Sequence, residues 1–274
     1  MPWSRCGLAA LVLIAGLATG TKLSLRTSAQ QAPPPAPKPA LPAPRPSPDS
    51  TSTHSPAPGS PPVPAPPPPA APPRFVIVID AAHGGDDLGG HLSSGQLEKN
   101  ANLTLSVRLR SALGARGIQV VTTRESDQSV VMDRRAEIAN HADAKACISL
   151  HTADTGSGVH LFVSSLAPAT TSRFVAWKTA QAAWVTRSLA LAGVLNSALL
   201  HAGTTVTLGR TPLPGIESMT CPAVTIEVAP ERDSDHKVTA EPDDANYQAR
   251  VTQTLATALL EWRTDASRLE GRQP

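Results

Sequence analysis

Beyond residue 73 the apolar positions alternate between short unbroken runs and longer stretches with helical spacing. Residues 75–79 form a continuous apolar, β-branched run ending at Asp80, the pattern of a strand covered on both faces. Similar runs predict strands at 118–122, 144–150, 159–163 and 223–228, with the 159–163 strand at a sheet edge. Between them, 98–115 reads as a helix through Leu103, Val107, Leu109 and Leu113, closed by Arg116 and Gly117. Residues 132–141 repeat the helical period through Ala136, Ile138 and Ala139. The stretch 179–201 is apolar almost all round, so it is either one buried helix or two helices broken at Gly193. An amphipathic helix over 247–262, packing Leu255, Leu259 and Leu260, closes the pattern. Strands alternating with helices predict a single α/β domain whose largely parallel central sheet is flanked by helices on both faces.

The first quarter of the chain has a different character. Residues 1–20 carry Arg5, an apolar run from Gly7 to Leu17 and a small-residue close at Ala18-Thr19-Gly20, the layout of a signal peptide. Residues 21–73 read as a Pro/Ala-rich disordered linker that holds about 20 of the 28 prolines and cannot build a hydrogen-bonded ladder. At roughly 3.1 Å per residue in polyproline II form, its proline-rich part would reach on the order of 130 Å. The folded domain is therefore expected at 74–265 and a flexible tail at 266–274. The signal implies an exported protein of the periplasm or cell envelope, with membrane contact only through that segment if it stays uncleaved.

A net charge of +2 without a Lys/Arg block or an aromatic stripe argues against nucleic-acid binding. Cys6 would leave with the signal. In an oxidising compartment Cys147 and Cys221 could pair, but two separate buried thiols are the favoured reading. Their spacing builds no zinc site.

Four residues stand where open α/β sheets bind ligands, beyond the carboxyl ends of strands. His83 follows the first strand in Asp80-Ala81-Ala82-His83-Gly84-Gly85, whose glycines permit a tight turn, and His151 follows the 144–150 strand. Glu98 opens a helix, where the helix dipole favours its charge. Glu227 interrupts the buried run Ala223–Val228 and needs a metal, a cation or a proton there. Taken singly, a His after a strand or a Glu in a first turn suits a loop contact or a cap. Together, two histidines and a carboxylate are a catalytic zinc ligand set, and a second carboxylate is the base beside it. His54, His91, His141, His160, His201 and His236 lack such placement, with His91 and His160 the two that could lie near the site.

The context of these residues resembles the zinc-dependent N-acetylmuramoyl-L-alanine amidases of family 3, the cell-wall amidases, over essentially all of 75–262. The family's D-P-G-H-G-G-x-D-x-G is similar to Asp80-Ala81-Ala82-His83-Gly84-Gly85-Asp86-Asp87-Leu88-Gly89, and its E-K-x-x-N to Glu98-Lys99-Asn100-Ala101-Asn102. T-R-x-S-D matches Thr123-Arg124-Glu125-Ser126-Asp127, R-x-x-x-A-N matches Arg135 to Asn140, and S-I-H resembles Ser149-Leu150-His151. P-A-V-L-V-E resembles Pro222 to Glu227. The resemblance implies that His83, Glu98 and His151 hold one Zn2+ ion and that Glu227 is the catalytic carboxylate. It also implies peptidoglycan as substrate, cut at the amide between N-acetylmuramic acid and L-alanine. A monomer is expected, and the sequence identifies no activator protein. The chain departs from the family at Ala81-Ala82, at Ala153 in place of Asn, and at Val228-Ala229-Pro230 in place of L-G-F. The 152–158 segment is short and shows no extra helix of the kind that plugs the site in regulated relatives. These departures leave two other readings open: a peptidoglycan-binding module with impaired catalysis, and a zinc peptidase acting on another amide.

Overall fold

Six strands make one sheet in the order β2-β1-β3-β6-β4-β5. They are β1 (Val76–Ala81), β2 (Gln119–Thr122), β3 (Ala146–Thr152), β4 (Val159–Ser164), β5 (Val206–Thr211) and β6 (Ala223–Val228). All neighbours run parallel except β4 and β6. The reason lies in the 153–158 connection, which is too short for the dozen or more residues a parallel crossover requires. The chain therefore turns back after β3, and β6 later enters between β3 and β4. This computed structural model describes residues 74–169 and 175–270. The expected signal, the linker and residues 271–274 lie outside them.

Period-two alternation sorts the side chains onto two faces. Ile77 and Ile79, Ile148 and Leu150, Val224 and Ile226 point into the larger core. Helices α1 (Glu98–Gly114), α3 (Val185–His201) and α4 (Ala245–Glu270) cover that side. On the opposite face Val78, Cys147 and Ala223 meet Ala136 and Ala139 of helix α2 (Met132–His141), with Ile216 and Met219 from the loop before β6. Helices thus lie on both faces. The smaller layer covers only part of its face, and the candidate site lies there. A short hairpin, β7 (Glu231–Arg232) with β8 (Val238–Ala240), follows β6.

Several sequence expectations need correction. On α1 the buried stripe is Ala101, Leu105, Leu109 and Leu113, each four residues apart, whereas Val107 is 41% exposed. Leu103 and Val107 sit two residues out of step, about 200° round the helix, and face outward. Strand β4 lies inside the sheet, and the edge on its side is β5, whose residues are exposed or half-buried and gave no apolar run to detect. Gly193 lies within an unbroken α3, and the break falls at Trp184, after a 3-10 segment at Trp177–Ala183. Helix α4 continues through Glu270, into the segment expected to be a tail. Cys147 and Cys221 are not separate thiols but a disulfide, with Cα atoms 6.1 Å apart. Their separation of 74 residues conceals that β6 is laid beside β3, which pairs Cys147 with Ala223 and brings Cys221 alongside.

Candidate active site

The loop from β1 to α1 doubles back sharply at His83, Gly84 and Gly85, whose φ angles of 61°, 127° and 60° all fall in the left-handed region. For histidine that conformation is strained, and it persists because the surroundings over-determine it. Two buried arginines supply that constraint. Arg124 donates to the carbonyls of Ala81 (2.8 Å), Ala82 (3.0 Å) and Lys99 (2.7 Å). Arg135 donates to Ala81 O (2.8 Å), His83 O (2.8 Å), Val130 O (2.8 Å) and the Asp80 carboxylate (2.6 Å). Thr123 and Ser149 complete the Asp80 shell with their hydroxyls. Lys99 donates to Gly85 O (2.8 Å) and to Asp127, whose other oxygen accepts the Gly85 N–H (2.7 Å). Ala81 and Ala82 keep negative φ, so the turn asks nothing of them that glycine alone could give.

Three donors from separate elements converge beyond this turn. Glu98 Oε1 lies 3.2 Å from His83 Nε2 and 2.9 Å from His151 Nδ1, and the ligand atoms of all three residues lie within 4.8 Å of one another. The two imidazoles stand edge to face, 5.2 Å between centres. Such a set requires positive charge at its centre, either a proton or a cation. Burial alone would push the Glu98 carboxyl up, but hydrogen bonds from His151, His83 and the Gly90 N–H outweigh it and hold the group well below the usual carboxylate range. The hydrogen bond to Glu98 raises His83 above its ordinary value, with burial opposing and Asp87 adding to the rise. Each donor is also oriented from behind. Asp87 accepts from His83 Nδ1 (2.8 Å), Gly90 N–H donates to Glu98 Oε2 (2.8 Å), and Asn102 donates to Glu98 Oε1 (3.2 Å) while accepting from Thr152. Gly89 is obligatory at its place, because a Cβ there would stand 2.7 Å from both Glu98 Oε2 and His83 Cδ2. No other cluster of three or more such donors occurs among the described residues.

His151 lies within β3 rather than after it, because that strand runs two residues further than its apolar run suggested. Its register partner on β6 is Glu227, and the partner of Glu227 on β4 is His160. The three therefore form one row across adjacent strands on the same face. Glu227 Oε1 accepts from His160 Nδ1 at 2.9 Å, and its Oε2 has no hydrogen-bond partner among the described residues. Sequence reasoning named His160 only as a residue that could lie near the site and gave it no role, although a polar residue inside the apolar run of β4 is the same signal that marked Glu227. His91 bridges through its backbone to Leu97 and is exposed. A cavity of about 370 Å³ opens beside the cluster, lined by His83, His151, Asp80, Arg135 and the exposed Val131 and Met132.

Comparison with known proteins bears on this arrangement. A family profile described as N-acetylmuramoyl-L-alanine amidase matches residues 77–261. The germination-specific N-acetylmuramoyl-L-alanine amidase of Bacillus subtilis (strain 168) is 32% identical over 90 residues, 28% of this chain and 38% of that one. The N-acetylmuramoyl-L-alanine amidase AmiA of Escherichia coli (strain K12) is 36% identical over 76 residues, 28% of this chain and 26% of its own length. The aligned part of the chain thus spans well under half the length of either relative. Among solved structures, the catalytic domain of the amidase CwlV from Bacillus (Paenibacillus) polymyxa var. colistinus superposes with a TM-score of 0.53 at 24% identity. It covers 69% of this chain and 98% of that one, and shows the shared fold.

Proposed function

The chain belongs to the N-acetylmuramoyl-L-alanine amidase family 3, and on that premise we propose that it hydrolyses the amide joining N-acetylmuramic acid to L-alanine in peptidoglycan. The observation that carries this reading is the convergence of His83, Glu98 and His151 within 4.8 Å, with Glu227 the register neighbour of His151. The donor set of two imidazoles and one carboxylate, all from this chain, fits a zinc ion with a position left open. When bound, zinc would polarise the scissile carbonyl and make a water molecule more acidic. Glu227 takes the proton of the attacking water on Oε2, the oxygen with no competing bond among the described residues, and delivers it to the departing amine of L-alanine. Asp87, Asn102 and the Gly90 N–H keep the ligands aimed, so that little reorganisation is needed when the substrate arrives. The cavity beside His83 and His151 is the natural seat for the substrate groups flanking the bond.

In this reading residues 1–20 direct export to the periplasm or cell envelope, residues 21–73 tether the domain at a distance, and the domain acts as a monomer. The Cys147–Cys221 disulfide supports an oxidising compartment. The departures at 81–82 leave the turn intact, which favours an active enzyme over a binding module. The test is to incubate the zinc-loaded chain with purified sacculi, with and without chelator, and identify the new ends by mass spectrometry. Free L-alanine amino termini and free lactyl carboxylates are expected, and both should vanish with chelator. Cleavage at a different amide, or none by the zinc-loaded chain, overturns the proposal.

A further inference from the structure

His160 occupies a place that the loop after β3 is built around. Its Nδ1 lies 2.9 Å from Glu227 Oε1, and the Phe162 ring stands edge-on with its centre 6.2 Å away. On the loop side the backbone of Gly156 crosses so near that a Cβ there would come within 2.4 Å of His160 Cε1 and 3.0 Å of Nε2. Gly156 holds a φ of 95°, and Arg232 Nε donates to its carbonyl at 3.0 Å, fixing the loop in that close approach. Gly158, two residues before His160, is equally confined, with a would-be Cβ 2.1 Å from Thr205 O. The imidazole is thus enclosed by a strand partner, an aromatic edge and a glycine-bearing loop, and its one polar contact among the described residues is the carboxylate of Glu227.

We propose that His160 is the positioning residue for Glu227: its Nδ1–H engages Oε1, fixes the rotation of the carboxylate, and leaves Oε2 turned to the water it must deprotonate. The proposal rests on the reading of Glu227 as the general base. Glutamate has three side-chain torsions, and the last of them is broad and weakly restrained on its own. Glu227 is neither fully buried nor fixed by any other hydrogen bond among the described residues, so without His160 the carboxylate would sample orientations in which neither oxygen meets the water. A base held within hydrogen-bond reach of the proton it abstracts is worth orders of magnitude in rate, and misplacement forfeits part of that. Because the contact lies on the side of Glu227 away from His151, on β4 rather than β3, its loss should affect turnover and not metal binding.

The experiment compares the zinc-loaded full chain with His160→Asn, His160→Gln and His160→Leu, measuring stem-peptide release from sacculi and zinc content. Asparagine places an N–H donor near the position of Nδ1, glutamine places it one carbon further out, and leucine keeps the bulk without a donor. The expected result is a fall in kcat of about 10- to 100-fold for the leucine and glutamine variants, with KM and zinc content unchanged. Asparagine should restore kcat to within about 3-fold of wild type. The proposal is overturned if leucine retains wild-type kcat, if asparagine falls as far as glutamine, or if the loss appears in KM or in zinc content. The asparagine–glutamine contrast decides the matter even if the leucine variant fails to fold. Wild-type release that Glu227→Gln abolishes and His160→Leu leaves untouched would overturn the role of His160 alone. No release by the wild-type chain would overturn both readings.

Discussion

Replacing Arg135 by methionine tests whether the turn carrying His83 is held by its clamp or by its own sequence. The substitution keeps an apolar stem of similar length and removes four hydrogen bonds at once, to Val130 O, Ala81 O, His83 O and Asp80 Oδ1. It also leaves the buried Asp80 carboxylate without its cation, a change that costs 3–5 kcal/mol when one partner of a buried pair is deleted. Asp80 keeps the hydroxyls of Thr123 and Ser149, which places the expected loss near the lower end, about 3 kcal/mol. For a domain of roughly 190 residues that corresponds to a fall in Tm of about 6–12 °C, measured by thermal denaturation of the zinc-free protein. Zinc affinity should fall as well, by about 10- to 100-fold, because His83, strained at φ 61°, loses the one side chain among the described residues that bonds its carbonyl. Arg135→Lys should recover part of the stability through its charge on Asp80 but little of the affinity, since one ammonium cannot serve four acceptors spread along the loop. Combining Arg135→Met with Asp80→Asn should cost clearly less than the sum of the two single changes. A variant within about 1 kcal/mol of wild type that still binds zinc at wild-type affinity would refute the clamp.

The remaining predictions concern the metal, the base and the disulfide. In the zinc-free protein His83 is raised, so the stability it contributes is fully present below its ordinary value of 6.5 and is lost as pH rises through the raised value. Zinc needs that proton gone, so the gain in Tm on adding zinc should be small near pH 5.5 and grow towards about pH 8, and a gain that shrinks with pH contradicts the ligand assignment. Glu227→Gln should keep zinc content and sacculus binding while lowering kcat by about 10²- to 10⁴-fold, and retention of wild-type turnover would remove Glu227 from the mechanism. Replacing Cys147 and Cys221 together by serine opens a loop closed over 74 residues and should cost about 4 kcal/mol by chain entropy, read from urea unfolding; a loss below about 1 kcal/mol would show that sheet packing alone fixes the pair.

Much of the fold was legible because a parallel sheet buried on both faces writes its central strands as unbroken apolar runs. Strand β1 is of that kind up to Asp80, and β3 and β6 are nearly so, broken by Ser149 and His151 and by Thr225 and Glu227. β5 is an edge strand whose residues are exposed or half-buried, none fully buried, so it carries no such run. The antiparallel entry of β4 was implicit in the short 153–158 connection, but its consequence, that β6 comes between β3 and β4, depends on long-range pairing that no local window contains. The same gap hid the disulfide, because Cys147 and Cys221 become neighbours only through that pairing. On α1, apolar residues on both the 101–105–109–113 stripe and the 103–107 pair gave a pattern with two compatible faces, and tertiary packing chose one.

The candidate site was legible for a different reason, and unevenly. A carboxylate inside the β6 run has to be compensated, whereas a histidine at the head of a glycine turn suits a plain loop contact when taken alone, and only two histidines and a carboxylate taken together suggest a metal. What the sequence could not give is which motif residues brace which atoms. Arg124, Asp127 and Arg135 lie 42 to 54 residues beyond the groups they bond, yet those bonds fall on the backbone of residues 81–85. This division of labour explains why the Ala81-Ala82 departure is tolerated. The left-handed backbone is required at His83, Gly84 and Gly85, and the neighbouring carbonyls are held by arginines that do not sense whether residue 82 is glycine or alanine. Alanine at 82 also removes the conformational freedom a glycine would carry into the unfolded chain, an entropic gain at a position whose φ permits it. The turn is therefore held by distant side chains as well as by its own Gly84–Asp87 backbone pair, and substitutions at 124 or 135 should disturb metal binding more than substitutions at 81 or 82.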